Sequence, residues 1–348
     1  MTRDCPRREC FVPWLVVALV ASAMATDTAL GGESLAERFL SEAPQQWAEY
    51  CRLARTLQGT VRFTVRDCRA DGKLIEEYDF SIILNGDSAL FHSRPAGAKQ
   101  RAAGVNSEYA FEIESKSGAV WTLSDLYPYP KADTAPDFIG GQGPAGGKGP
   151  HDKALRHACR GLVIWGTWFP RVVTSGCFTV EQVTSVPGKE EGLVQVVFRY
   201  EPTRANPQDH VRSGTVVLQS KRYWLIREAK VEGSWVDGRE RGTMTVANEY
   251  AEGKGTIPVL KRQVMHVSSP GLDGGRPVEH DWLYDLDLRQ SSAADESRFT
   301  LSAFGLPEPA PEPERHFPVE WILLALVMLV LLAGGSGLIG RKASGGAF

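Results

Sequence analysis

Stretches in which apolar and polar residues alternate one for one recur along most of this chain. A period of two dictates β-strands with one buried and one wet face. Val61, Phe63 and Val65 alternate with Arg62, Thr64 and Arg66. Asp71-Gly72 then turns the chain, and Tyr78, Phe80, Ile82 and Leu84 alternate with Glu77, Asp79 and Ser81 before a second turn at Asn85-Gly86-Asp87. The same grammar returns after residue 176. Val194, Val196, Phe198 and Tyr200 form one apolar face and Val216 and Leu218 another, with Ser220-Lys221 separating the latter from Arg222 to Ile226. Asp237-Gly238 leads to Met244, Val246 and Tyr250, and the segments 257–267, 282–288 and 299–304 come after them. Successive hairpins of this kind make a meandering antiparallel sheet, and about ten or eleven strands curl rather than stay flat.

Two helical segments interrupt the pattern. Ser34-Leu35-Ala36-Glu37 reads as a capping box, and Leu35, Phe39, Trp47 and Leu53 share a helical face, with Pro44 expected to start a second segment. In the middle, Tyr127-Pro128-Tyr129-Pro130 and the Gly-rich run Gly140 to Pro150 form a loop. After it Leu155, Ala158, Leu162, Trp165 and Phe169 recur at helical spacing, so a helix is expected from Asp152 to Phe169, weakened by Gly161 and Gly166. The expected fold is mainly β with covering helices (α+β): a curled antiparallel sheet or half-barrel with two helical segments, plus a single C-terminal transmembrane helix.

The ends place the chain. A basic start, the apolar run Phe11 to Val20 and the small residues Ala21-Ser22-Ala23-Met24-Ala25 read as an export signal over 1–25. Phe317 to Ile339 holds one ionisable residue, Glu320, and is otherwise apolar with Trp321 near its edge. That suits a single membrane span over 319–340. Arg341 and Lys342 then put the 341–348 tail in the cytoplasm and the bulk of the chain, the β-rich domain 26–305, on the extracytoplasmic (periplasmic) side. Between them 306–318, LPEPAPEPERHFP, is a Pro-rich stalk of roughly 40 Å at about 3.1 Å per residue. Pro-Glu-Pro, an apolar helix and a basic pair resemble the PEP-CTERM sorting tail, from which the doubled Pro-Glu-Pro and the weak basic cluster depart.

Charge excludes one class of partner. Of 39 Lys and Arg and 42 Asp and Glu, the end segments hold Arg3, Arg7, Arg8, Arg341, Lys342, Asp4 and Glu9, leaving 34 bases against 40 acids in the remainder. A domain of that sign carries no footprint for nucleic acid.

Motifs for chemistry are equally sparse. The Gly-rich loop has Gln142 and Gly149 where a phosphate-binding Walker loop needs Gly and Ser or Thr. His151 and His157, six apart on the expected helix, diverge, so with Cys159 they make no metal site. Asp281, Asp285 and Asp287 share one strand face, read as a solvated face rather than a calcium site. No Gly-x-Ser-x-Gly elbow or His-Glu-x-x-His pair occurs. The sequence therefore assigns no catalytic residue, metal or cofactor. Beyond the signal segment the cysteines are Cys51, Cys68, Cys159 and Cys177, which allow three pairings. Six helical steps against ten strand steps keep Cys51 and Cys68 some 24 Å apart, beyond the roughly 7 Å reach of a bridge, which leaves Cys159–Cys177 as a candidate disulfide.

The run Leu53-Ala54-Arg55-Thr56-Leu57-Gln58-Gly59-Thr60-Val61-Arg62-Phe63 entering the first strand, with the later hairpins, resembles the outer-membrane lipoprotein carrier (LolA-like) family and its anti-sigma-factor-sensing relatives. That resemblance implies a half-barrel whose concave face, covered by helices, accepts an acyl chain. The greater length and the tether depart from a shuttling carrier. Trp121, Trp165, Trp168, Trp224, Trp235 and Trp282 are many large side chains for one domain, and in a curled sheet some can line an apolar cavity. Phe63, Phe80, Trp165 and Trp224 are the candidate cavity residues. The first functional reading is a membrane-tethered domain that binds a lipid-like or acyl ligand or senses an envelope protein partner. The alternatives are a structural or assembly protein of the envelope without a small ligand and, third, an envelope hydrolase.

Overall fold

The structure, a computed structural model, describes residues 33–310 apart from 70, 96–98, 117–118, 129–149, 188–190, 203–209, 235–240, 252–256, 271–276 and 292–293. The expected export signal, the membrane span, most of the stalk and the Gly-rich loop lie outside the described residues, as does the turn at Asp237-Gly238. Among the described residues no helix is long and apolar enough to cross a membrane. The chain divides into two units at Leu306/Pro307, and every described helix and strand belongs to the first.

Helix α1 (Leu35–Ala54) starts where the sequence marks it. The Ser34 hydroxyl accepts from the Glu37 N–H at 3.2 Å, and the Glu37 carboxylate accepts from the Ser34 N–H at 2.8 Å. Pro44 does not divide it. Phe39 and Ala43 before it and Trp47, Tyr50, Cys51 and Ala54 after it are buried on one face, and that packing carries the helix through the missing donor.

Six strands come next as a simple meander: β1 (Leu57–Asp67), β2 (Lys73–Asn85), β3 (Ser88–Pro95), β4 (Gln100–Val105), β5 (Tyr109–Ser115) and β6 (Thr122–Pro128). The chain then crosses the sheet through α2 (Pro150–Ala158), a 3-10 turn at Arg160–Leu162, the short hairpin β7 (Val163–Ile164) and β8 (Thr167–Trp168), and α3 (Phe169–Thr174). This corrects the single helix expected over 152–169. Trp165 and Gly166, with φ of 51° and 69°, form a left-handed two-residue turn that a helix cannot hold, and Gly161 lets Tyr250 approach so closely that a Cβ there would meet its hydroxyl. The second meander runs through β9 (Phe178–Ser185), β10 (Leu193–Tyr200), β11 (Val211–Gln219), β12 (Leu225–Ser234), β13 (Arg241–Ala251), β14 (Val259–Ser269) and β15 (Val278–Gln290).

The two meanders join where β15 pairs antiparallel with β1, giving one thirteen-stranded sheet in the order β6-β5-β4-β3-β2-β1-β15-β14-β13-β12-β11-β10-β9. Among the described strands its edges, β6 and β9, are not paired to each other. Gly59 marks the seam: with φ of +152°, any Cβ there would lie 1.9 Å from the Asp287 carbonyl oxygen. The segment 299–304, expected as a strand, forms 3-10 turns instead, clasped to the other strands by Asn106 Nδ2 donating to the Phe299 carbonyl at 3.1 Å and the Leu301 N–H donating to the Tyr109 hydroxyl at 3.0 Å.

One inner face of the sheet is roofed by α1, α2, the 3-10 turn, the short hairpin and α3, and holds the main core. Over β4 and β5 a smaller core, Ala102, Tyr109, Phe111, Ile113 and Leu301, packs with Trp121 and Phe304. Elsewhere the outer face is charged, laced by pairs such as Arg62–Asp79, Lys261–Glu249 and Arg262–Asp285.

Candidate functional site

Near the seam, register sets aromatic residues side by side on the inner face. Phe63 of β1 stands opposite Tyr78 of β2 and Tyr284 of β15, and Tyr284 stands opposite Gln263 of β14. The next row toward the tip of β2 pairs Val65 with Trp282, and Trp282 with Met265. The rings form a continuous stack: Phe63 to Tyr284 at 4.4 Å, Tyr78 to Phe80 at 6.0 Å, Phe80 to Phe91 of β3 at 5.4 Å, with Trp282 edge-on to Phe63 at 6.4 Å. Such offset and edge contacts suit aromatic quadrupoles. Tyr284 is buried, but Phe63, Tyr78, Phe80, Phe91 and Trp282 are only half-buried. Among the described residues this floor is roofed at one end by α2, whose His157 lies over Phe80 and Phe91 at 4.9 and 5.4 Å.

Arg160, in the turn after α2, lies at the edge of the floor. Its guanidinium sits 4.0 Å over the Tyr284 ring, a favourable cation–π placement. Its Nε donates to Gln263 Oε1 at 2.8 Å, and Gln263 Nε2 returns the bond to the Arg160 carbonyl at 3.2 Å, so one buried glutamine both fixes the turn to the sheet and orients the cation. Gln263 in turn donates to Asn248 at 3.0 Å, and Asn248 to the Ile226 carbonyl at 2.8 Å, extending the polar row across β13 and β12. Among the described residues no carboxylate pairs with Arg160, whose titratable neighbours are Tyr284 and Arg156, and its other side-chain hydrogen-bond contact is the weak acceptor Met265 Sδ at 3.8 Å. Burial lowers the guanidinium from its usual value without discharging it. A desolvated cation without a counter-ion is costly, and an arriving anion relieves that cost. His157 cannot serve as a second cation: burial first, and then the charges of Arg160 and Arg156, push its imidazole down to about 3, and its Nδ1 has no partner.

The four candidate cavity residues do not come together. Phe63 and Phe80 belong to the half-open floor. Trp165 and Trp224, 1% and 0% exposed, are wedged into the roofed part of the core. Trp224 Nε1 donates to Glu42 at 3.3 Å and its carbonyl accepts from Trp47 Nε1 at 2.9 Å, while Trp165 lies against Gly233 and Gly242. All four described cysteines are free thiols; Cys159 hydrogen-bonds Cys51 of α1, and Cys177 stands just before β9. A wider groove of about 940 Å³ lies between the ends of β10 to β14, lined by Arg199, Arg212, Glu232 and Arg241 among others, and is mixed in charge. Arg160 escaped the sequence reading. Its one legible signal is a lone charge inside the apolar run Ala158 to Trp165.

No family model matches the chain, and no curated protein matches it. Among solved structures it is similar to a DUF1329 family protein from Desulfovibrio piger, with 9% identity over 76% of this chain and 98% of that one and a TM-score of 0.40. It is also similar to the MucA/MucB complex of Pseudomonas aeruginosa, with 8% identity over 73% of this chain and 100% of that one and a TM-score of 0.23. Agreement at this level does not identify a family for the chain.

Proposed function

We propose that the chain is an extracytoplasmic, membrane-tethered domain that binds a lipid-like amphiphile on the inner face of its sheet. The acyl chain lies along Phe63, Tyr78, Phe80, Phe91 and Trp282, and the acidic head meets Arg160. The observation that supports this reading is the guanidinium without a carboxylate partner at the margin of a half-exposed aromatic floor. Most of a bound chain's affinity comes from apolar area removed from water, at about 25 cal/mol per Å². The cation selects the head group. The location rests on the 1–25 signal and the 319–340 span, and the stalk keeps the site near its own membrane.

The 26–305 fragment is then expected to take up a fluorescent fatty acid saturably. Arg160→Gln should weaken uptake of the acid by roughly 10- to 100-fold, since a hydrogen bond to a charged group is worth about 1.5–3 kcal/mol, and leave uptake of the matching fatty alcohol unchanged. A fragment without saturable uptake returns the chain to the assembly reading.

A second reading, capture of an envelope protein partner, has its own observation. Edge strand β6 leaves Leu123, Leu126 and Tyr127 exposed by 44%, 40% and 49%, and its outer edge is unpaired among the described strands, an edge of the kind that accepts an extended peptide as an added strand. Leu126→Lys should abolish such capture without altering acyl uptake.

A further inference from the structure

On the opposite face of the seam, three side chains of different chemistry converge. Asp281 of β15 stands opposite His266 of β14 on one side and Arg66 of β1 on the other. Two residues beyond Arg66, on the same face, comes Cys68, held in line by its N–H donating to the Glu279 carbonyl at 2.9 Å. Strand alternation therefore turns all three side chains outward together. His266 Nδ1 lies 2.9 Å from Asp281 Oδ1 and 3.9 Å from Cys68 Sγ, and the three donor atoms all lie within 4.8 Å of one another.

A Cys-His-Asp relay of the hydrolytic kind needs the thiol and the carboxylate on different ring nitrogens. Here both face Nδ1. The arrangement is a tripod aimed at one point, which is the geometry of metal ligands and not of a nucleophile and its base. We propose that Cys68, His266 and Asp281 form a binding site for a zinc-class divalent cation, with the fourth coordination position open to solvent.

The distances support it. Bond lengths near 2.0 Å to nitrogen and oxygen and 2.3 Å to sulfur, at tetrahedral angles, separate N from O by about 3.3 Å and N from S by about 3.5 Å. The observed 2.9 and 3.9 Å each need a change of about 0.4 Å, within the reach of side-chain rotation on half-exposed residues. A thiolate among the donors argues against calcium and magnesium, which prefer oxygen alone. A dication takes the Cys68 sulfur as thiolate and releases the thiol proton to solvent, with no change of oxidation state. Strand-face alternation alone groups Asp281 with Asp285 and Asp287. Pairing across three strands is what gives it nitrogen and sulfur neighbours instead.

The test is titration of the full, metal-free chain with Co²⁺ under reducing conditions. One equivalent should produce a near-ultraviolet thiolate-to-cobalt band, and Zn²⁺ should displace it. Cys68→Ser should abolish the band. His266→Gln and Asp281→Asn should weaken binding by more than the roughly 10- to 100-fold that loss of an outer-shell partner costs, with unchanged circular dichroism because all three side chains lie on the wet face. Cys177→Ser should leave the band intact. Absence of a thiolate band, or a band that survives Cys68→Ser, overturns the site.

Discussion

The two wings of the sheet use their aromatic residues differently. On the β9 to β13 side, Trp47 of α1, Trp165 of the short hairpin and Phe169 of α3 pack with Phe198 of β10 and with Trp224, all at 1% exposure or less. On the β1 to β3 side, among the described residues, only α2 and its following turn provide a roof, and Phe63, Tyr78, Phe80 and Phe91 stack in a row of half-buried rings. The residue types are alike, so what separates the buried set from the half-open one is the packing of a covering element on them. A helix above the sheet converts apolar area into stability, and its absence leaves that area available to something else.

Four substitutions can break or sharpen that contrast. The largest effect belongs to the roofed wing. Trp224→Ala should cost about 3–5 kcal/mol, read as the loss in urea unfolding free energy, and should abolish acyl uptake only by unfolding the domain. Next comes the junction of the wings, through His157. Its imidazole is neutral in the fold down to about pH 3, whereas the unfolded chain takes up a proton near pH 6.5. The unfolded state therefore binds more protons in that window. Stability should fall as pH drops from about 6.5 toward 3, by at most about 1.4 kcal/mol per unit, and His157→Phe should flatten that slope in unfolding curves at pH 7 and pH 5. In the open wing, Phe80→Ala should cost only about 1–2 kcal/mol yet remove most probe uptake at full circular dichroism. A cost equal to that of Trp224→Ala would show that the floor is core after all. Smallest is the charged outer face, where Lys261→Met, removing an exposed pair with Glu249 at 3.0 Å, should change the unfolding free energy by less than about 1 kcal/mol.

The sequence displayed the strands whose alternation is clean, but not β6, whose end at Tyr127-Pro128 was expected to be loop, nor β9. Arg241–Ala251 alternates exposed and buried without a break, as its residues imply. It hid β4, Gln-Arg-Ala-Ala-Gly-Val, because Ala102 packs into the smaller core on one face while Ala103 and Gly104 are buried as well, and two-sided burial erases the period. The helix expected through Trp165 failed for a related reason. Leu162, Trp165 and Phe169 do all face the core, but they reach it from a 3-10 turn, a hairpin and α3 in succession. The β1 and β2 alternation put Phe63 and Phe80 on the inner face, since their strands carry a clean pattern. Counting aromatics could not separate these from Trp165 and Trp224, because covering is a tertiary property. Arg160 and the Cys68 cluster depend on register between distant strands, which no local spacing encodes.

The seam between β1 and β15 also sets an order of assembly. Leu57 stands opposite Gln290, so a strand made early in synthesis finds its second neighbour only after the last strand has emerged. Each wing consists of hairpins between consecutive strands and can zip from local turns, whereas the join closes nearly the whole domain into one loop and belongs to the slow, non-local class of folding events. Until then β1 presents an unpaired edge, and the aromatic floor and the tripod on the far face, each dependent on strands from both wings, do not exist. The inner and outer faces at the seam therefore take their final form late and together, when the last strand completes the sheet.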